Sequence, residues 1–149
     1  MSKKQNFAIL AVLIFAFTFP GCGNGDTLLA GSTGSEQNQR AALWKNGVPQ
    51  ALSSTQSWAF SVHVSGNDVY VAGGVGEGQN QRATLWKNGV PQTLSSTQSL
   101  AYSVYVSGND VYVTGFVGEG QNQRVTLWIN GVPQTLSNTE SQARSVFVR

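Results

Sequence analysis

A repeat of 42 residues dominates the chain and restricts its fold more than any other feature. Residues 37–78 and 79–120 differ at only seven of 42 positions, and a third copy runs from Gln121 to Arg149. The differing pairs are Ala42/Thr84, Ala51/Thr93, Trp58/Leu100, Phe60/Tyr102, His63/Tyr105, Ala72/Thr114 and Gly74/Phe116. A fixed period of this size indicates a repeat architecture in which successive copies pack against one another.

Each copy contains four short segments of strand-like composition, separated by residues that favour turns. In the second copy, Ser103–Ser107 and Asp110–Val117 are rich in β-branched and aromatic residues, and Gly108-Asn109 lies between them. This pattern predicts a β-hairpin. The polar, glycine-rich residues Gly118–Asn122 that follow predict a loop.

A second hairpin is predicted around Asn88-Gly89, between the segments Arg82–Lys87 and Val90–Leu94. The Asn-Gly pair tolerates the two positive φ angles that a type I′ turn requires. Pro91 has no backbone donor for a ladder, so its segment is expected at the edge of the sheet. Each repeat is therefore predicted to form a four-stranded antiparallel meander.

Four strands in about 40–45 residues is the size of one β-propeller blade. Apolar residues run through Val104–Val106 and Val111–Val113 without clean polar alternation, as in strands that are covered on both faces. Two hairpin turns per repeat disfavour a β-solenoid, and the lack of a 3.6-residue period disfavours helical repeats. The sequence predicts an all-β fold of tandem four-stranded antiparallel blades, β-propeller-like.

The repeat phase is already established at Asp26, since Asp26, Asp68 and Asp110 are spaced by 42 residues. Residues 27–31 then correspond to the second strand of a blade, and Ser145–Arg149 (SVFVR) correspond to the first. The repeat domain, residues 26–149, thus holds about three blade equivalents. Propellers have about four to eight blades. We therefore expect a truncated product, an open array, or a ring that two or more chains complete by self-association.

Residues 1–21 have the pattern of an export signal. Lys3 and Lys4 precede a thirteen-residue apolar stretch, Phe7–Phe19, which is shorter than the roughly 20 residues that span a bilayer. Gly21-Cys22, followed by glycine-rich residues, resembles the lipobox of bacterial lipoproteins, although Phe19 and Pro20 differ from the residues usual there. The resemblance implies that Cys22 is acylated and that residues 22–25 form a tether. The alternative is an ordinary secretory signal with an incidental cysteine.

The charge balance excludes one class of partner. The chain has nine Lys and Arg residues against seven Asp and Glu, and without Lys3 and Lys4 the two signs are equal. No basic stripe is left, so nucleic acid is not expected as a partner. Because Cys22 is the single cysteine, an internal disulfide is excluded as well.

Several residue types recur once per repeat. Trp44, Trp86 and Trp128 are either an aromatic platform for a sugar or peptide or anchors between blades, and identical repetition favours the packing role. Asp68, like Asp110, is expected to fix its turn by accepting local backbone hydrogen bonds. His63, the single histidine, is interpreted as a surface or packing variant of Tyr105.

The loop sequence QNQR carries charges that also repeat. Glu77 and Glu119, with Arg40, Arg82 and Arg124, are interpreted as solvated loop charges, the arginines pairing locally. No asymmetric carboxylate pair, Ser-His-Asp set, metal-ligand cluster or phosphate-binding loop can be assembled from this sequence. We therefore predict that the protein is not an enzyme and holds no metal or cofactor.

The repeat text ATLWKNG…L…SVYVSGNDVYVTG resembles the kelch- or propeller-like blade repeats of exported bacterial proteins, some of them lipoproteins. The resemblance covers nearly all of residues 26–149. It implies a non-catalytic scaffold, lipid-anchored in the bacterial cell envelope at the outer membrane or cell surface, that presents a surface to a protein or glycan. The alternative is a fragment of a larger propeller hydrolase or lyase whose catalytic residues lie outside this chain.

Overall fold

The computed structural model describes Gly23 and residues 25–149. The predicted export signal (1–21), the predicted lipidation residue Cys22 and Asn24 of the predicted tether lie outside the described residues. Within the described part of the chain, no helix has the length and apolar character needed to cross a membrane.

The described residues form three antiparallel sheets in succession along the chain. The first sheet is β1 (Leu28–Thr33), β2 (Arg40–Lys45) and β3 (Val48–Ala51), in that order. The second is β4 (Ser57–Ser65), β5 (Asp68–Val75), β6 (Arg82–Lys87) and β7 (Val90–Thr93), and the third is β8 (Ser99–Ser107), β9 (Asp110–Val117), β10 (Arg124–Ile129) and β11 (Val132–Thr135). Single-turn 3-10 helices occupy Glu36–Asn38, Gly78–Asn80 and Gly120–Asn122.

This architecture confirms the predicted all-β fold of blade-like repeats. In the second and third sheets the strands follow one another in chain order, and the proline-containing strands β7 and β11 lie at one edge. We call β4 and β8, at the opposite edge, the inner strands. They begin earlier than predicted, since β8 extends from Ser99 rather than Ser103.

The Asn-Gly turns have the backbone geometry that the sequence predicts. Asn88 has a φ of 50° and Gly89 a φ of 79°, and the corresponding pairs at 46–47 and 130–131 agree within a few degrees. Two consecutive positive φ angles are the requirement of a type I′ turn. Each turn joins the last two strands of its sheet.

Apolar clusters between consecutive sheets form the core. One cluster joins the first and second sheets through Ala41, Leu43, Leu52, Ala59, Val69, Val71 and Trp86. The other joins the second and third sheets through Tyr70, Ala72, Ala83, Leu85, Leu94, Ala101, Val104, Val106, Val113 and Trp128. Each interior sheet face is thus covered by its neighbour, which explains why the strands do not alternate between polar and apolar residues.

A buried serine links each sheet to the following inner strand. The hydroxyl oxygens of Ser57 and Ser99, both fully buried, accept hydrogen bonds of 2.9 Å from the backbone nitrogens of Ala41 and Ala83. Burying these hydroxyls is tolerated because each also donates to a nearby backbone oxygen, 2.9 Å away.

The three sheets do not close into a ring, and the ends differ from a complete blade. As far as the described residues show, the first sheet consists of β1, β2 and β3 and has no inner strand. Ser145–Arg149, predicted to correspond to an inner strand, are not assigned to a strand because they form no ladder with any described segment. They nevertheless lie beside β8: the Val146 nitrogen donates to the Ser103 hydroxyl at 3.2 Å, as the Val104 nitrogen donates to Ser61 at 3.3 Å.

Candidate ligand-binding surface

The inner strands each contain a β-bulge that places an aromatic residue outside the ladder. The pairing of β4 with β5 skips Phe60, and the pairing of β8 with β9 skips Tyr102. A bulge bends the strand and redirects the unpaired side chain, and bulges are frequent beside functional sites. Two equivalent aromatic residues are thereby displayed on neighbouring sheets.

Two glycines make these bulges possible. A Cβ atom on Gly73 would lie 1.9 Å from the Trp58 carbonyl oxygen, and one on Gly115 would lie 1.9 Å from the Leu100 carbonyl oxygen. Any other residue would force the two backbones apart. A glycine in the interior of a strand was therefore the sequence signal for the bulge.

The bulge residues form the first of two rows across the inner strands. The ring centroids of Phe60 and Tyr102 are 5.4 Å apart, and the Arg144 guanidinium carbon lies 4.8 Å from the Tyr102 centroid on the other side. Phe60 is 46% exposed. An arginine at this distance over an aromatic face makes a favourable cation–π contact.

The second row lies three residues further along the same strands. His63 and Tyr105 have ring centroids 4.6 Å apart, and Tyr105 meets Phe147 edge-on at 5.0 Å. Phe147 is 67% exposed, whereas His63 and Tyr105 are half-buried. His63 thus belongs to a continuous aromatic row, in which it packs against Tyr105, the residue at its position in the next repeat.

We name these six residues, Phe60, His63, Tyr102, Tyr105, Arg144 and Phe147, the inner aromatic surface. Five of the seven positions that differ between the first two copies lie on the inner strands or directly opposite them. The position of Trp58 is paired with Gly74, while Leu100 is paired with Phe116, so a large side chain moves from one strand to its neighbour. The strands and their pairing are therefore the same in the two sheets, whereas the side chains on their inner strands differ.

The repeated tryptophans occupy different environments. Trp86 and Trp128 are 0% exposed between sheets, so neither presents a face to a ligand. The Trp128 indole nitrogen donates to the Leu94 carbonyl oxygen at 3.1 Å. Trp44 is half-buried, and its ring lies over Gly31 of the adjacent strand. An open pocket of about 360 Å³ lies beside Trp128 between the second and third sheets.

Each repeated aspartate binds the side chain of the asparagine in the Asn-Gly turn of its sheet. The Asp68 carboxylate accepts a hydrogen bond from the Asn88 side chain at 2.7 Å and pairs with the Lys87 ammonium at 2.8 Å. The Asn88 amide oxygen in turn accepts from the Val69 backbone nitrogen at 2.9 Å. The expectation of local backbone bonds at Asp68 is wrong, because the pairing of β5 with β6 brings the Asn-Gly turn next to this carboxylate.

The bond to the turn asparagine recurs at both other copies, and Asp26 also accepts from the Gly23 backbone nitrogen at 2.9 Å. Asp26 binds Asn46 at 2.8 Å and Lys45 at 2.9 Å, whereas Asp110 binds Asn130 at 2.8 Å and Ile129 stands where the other copies have lysine. The Asn46 amide, then Lys45, lowers the pKa of Asp26 to about 2. Lys87 and Asn88 lower the pKa of Asp68, and Asp68 raises the pKa of Lys87.

The charged loops are held by local contacts. Arg82 donates to the backbone oxygens of Gln79 and Gln81, and Arg124 repeats these bonds one copy later. The Glu119 carboxylate accepts from the Gln79 side chain at 2.6 Å. The predicted local pairing is confirmed for Arg82 and Arg124, whose partners are backbone oxygens. Among the described residues, no group of three or more His, Cys, Asp or Glu side chains is arranged to hold a metal ion.

Comparison with known proteins adds no assignment: no protein-family model, curated protein or solved structure matches this chain.

Proposed function

We propose that the protein is a non-catalytic scaffold of the bacterial cell envelope that binds a protein or glycan partner through its inner aromatic surface. The observation that carries the proposal is the pair of aromatic rows. Phe60 and Phe147 are large apolar side chains left substantially exposed, and they extend rows in which Tyr102, Tyr105 and His63 are already packed.

The composition of this surface favours a protein as the partner. Tyrosine and arginine are enriched among the residues that contribute most to protein–protein binding, and phenylalanine is enriched in interfaces generally. Arg144 stacks on Tyr102, so its charge is held beside apolar area rather than extended freely into water. A glycan could stack on the same rings, since each offers an apolar face and a polar edge.

The rigidity of the frame supports a binding role. Four of the six residues of the surface project from the strands β4 and β8, and neighbouring rings lock one another through their contacts. Sites on such elements are held more accurately than sites on loops. Little conformational freedom is therefore lost when a partner binds, which favours affinity.

Envelope localisation is the second half of the proposal. It rests on the Lys-Lys, apolar and Gly-Cys succession at residues 3–22, which is typical of a lipoprotein export signal. A lipid chain on Cys22 would hold the repeat domain at a membrane surface, with residues 22–25 as a short tether.

Site-specific photo-crosslinking in a bacterial host tests the binding role. A photoreactive phenylalanine at Phe60 or Tyr102 preserves the aromatic ring, and one at Val90 serves as control because Val90 is 67% exposed on the outer strand β7. We expect a discrete crosslinked partner from positions 60 and 102 and none from 90. A glycan array probed in parallel with wild type and Tyr102→Ser identifies a sugar ligand.

Identical products from all three positions, together with array binding that Tyr102→Ser does not reduce, would contradict the proposal. The proposal would also be wrong if neither crosslinks nor glycan binding were found for a folded chain.

A further inference from the structure

We propose that the protein associates head to tail with a second copy of itself, whose Ser141–Arg149 pair with β1 and complete the first sheet. This inference does not depend on the identity of any ligand. It defines a second binding surface, at the two ends of the array, in addition to the inner aromatic surface.

The first sheet has room for one further strand. In the second and third sheets, β5 and β9 are paired on both edges, with β4 or β8 on the inner side. In the first sheet, β1 is the edge strand. The residues one repeat before β4, 15–23 (FAFTFPGCG), lack the Ser-x-Ala start shared by Ser57–Ala59, Ser99–Ala101 and Ser141–Ala143. Among the described residues, no strand pairs with the open edge of β1.

Residues 141–149 already have the placement of an inner strand. The Ser141 hydroxyl accepts from the Val125 nitrogen at 3.1 Å and the Ser141 nitrogen donates to the Gln123 oxygen at 3.0 Å. Ser57 and Ser99 make the same two bonds at the start of β4 and β8. The segment is thus held against the third sheet and β8, while it forms no ladder with any described strand. It is pre-organised for pairing with a second strand.

The two complete sheets define the register of this pairing. Val62 lies opposite Val71, and Val104 lies opposite Val113. We apply the same register to the proposed junction by moving each residue by the repeat period. Val146 of one copy then lies opposite Leu29 of the second copy, and Arg149 lies opposite Asp26. The other copies of the repeat place a serine opposite this aspartate, as in Ser65–Asp68 and Ser107–Asp110. The junction thus gains an attraction between opposite charges.

The two end faces expose residues that the interior sheets bury. Leu29 is 60% exposed, whereas the equivalent Val71 and Val113 are each 1% exposed. At the other end Leu136 is 59% exposed, whereas Leu52 and Leu94 are 8% and 7% exposed. The sheet-to-sheet contacts within the chain bury these positions. A second copy in the same relation would bury both faces at once, and apolar burial drives association.

Gly31 supplies an independent observation. It occupies the position of Gly73 and Gly115, whose missing Cβ atoms leave room for the carbonyl oxygen of a bulged inner strand. No inner strand among the described residues lies beside Gly31, and the nearest atoms to a Cβ there belong to the Trp44 ring, at 3.0 Å. β1 therefore keeps, at Gly31, the glycine that a bulge at Arg144 requires, and the Trp44 ring borders this position in the chain alone.

The test uses two full-length copies with different tags, both carrying Cys22→Ala and purified together in a mild detergent. One copy carries Leu29→Cys and the other Val146→Cys, and a mild oxidant is added. We expect a disulfide-linked heterodimer that requires both cysteines. Val132→Cys replaces Val146→Cys as the control, because Val132 is 62% exposed on the outer strand β11 and away from the junction.

Adding Gly31→Ala to the Leu29→Cys copy should reduce the heterodimer at least tenfold, because the new methyl would meet the incoming Gln142 carbonyl. Adding Val90→Arg to the Leu29→Cys copy instead should leave the amount of heterodimer unchanged. Circular dichroism monitors the fold of each variant. Equal crosslinking at Val146 and Val132, or none at Val146 in folded copies, would overturn the proposal. Should Gly31→Ala unfold the chain, the comparison of Val146 with Val132 decides alone.

Discussion

The indole nitrogen of Trp128 donates a hydrogen bond of 3.1 Å to the backbone oxygen of Leu94 in the preceding sheet. The equivalent nitrogen of Trp86 is buried without a partner. Both rings are 0% exposed and occupy the same place in successive repeats. Trp86 and Trp128 are therefore buried in the same way, but only Trp128 has a hydrogen-bond partner for its indole nitrogen.

Trp128→Phe should destabilise the protein more than Trp86→Phe. Both changes remove part of a buried ring, but only the first leaves the Leu94 oxygen without this donor, at a cost of about 1–3 kcal/mol. The second removes a donor that had no partner. Urea unfolding of the two variants measures the difference. Equal losses of stability, or a larger loss for Trp86→Phe, would show that the hydrogen bond from Trp128 to Leu94 does not stabilise the protein.

Gly89→Val should destabilise the second sheet. Gly89 has a φ of 79° in the turn between β6 and β7, a conformation that β-branched residues disfavour, so the cost is about 1 kcal/mol or more. Gly89→Asn is the control because asparagine tolerates positive φ. In thermal unfolding the melting temperature should be highest for wild type, lower for Gly89→Asn and lowest for Gly89→Val. A valine variant that melts with wild type would contradict the turn geometry.

The hairpins could be predicted because their determinants are local. Asn88-Gly89 specifies its own turn, and Pro91 specifies an edge strand, whatever the rest of the chain does. The partner of Asp68 could not be predicted in the same way. Asn88 lies 20 residues later and reaches Asp68 only through the register of β5 with β6.

The candidate surface was missed for a related reason. Phe60 and Tyr102 were recognised as a difference between copies, but their projection depends on a bulge that hydrophobic alternation does not show. Gly73 and Gly115 carried the signal, since a strand interior rarely accepts glycine without a close backbone contact. The role of Ser57 was likewise hidden, because its partner Ala41 belongs to the preceding sheet.

The aspartate pairs should make stability depend on acid pH. The pKa of Asp26 is lowered from 3.8 to about 2 in the folded protein, so its contribution is fully present above about pH 4 and is lost as the pH falls through 2. Asp26→Asn should flatten the loss of stability over this range. Lys45→Met removes one cause of the lowered pKa and should move the loss to higher pH. Urea midpoints between pH 5 and pH 2 measure both, and unchanged profiles would refute the linkage.

Cys22→Ser should release the protein from membranes. The lipoprotein reading of Gly21-Cys22 requires a thiol for acylation, which serine lacks. In a bacterial host, labelled palmitate should be incorporated into wild type and not into the variant, and the variant should leave the membrane fraction. Unchanged labelling and partitioning would show that Cys22 is not the anchor.

Hydrogen exchange at the tryptophan indoles tests most directly whether consecutive sheets cover one another and whether the first sheet is open. Nuclear magnetic resonance can follow each indole proton, assigned with single Trp→Phe variants of the full chain in detergent. In dilute monomer we predict slow exchange at Trp128 and Trp86 and fast exchange at Trp44, which none of the three described sheets covers on its outer side. At concentrations where copies associate, Trp44 should become slow as well. Exchange at Trp44 as slow as at Trp128 in the monomer, or unchanged on association, would contradict the account.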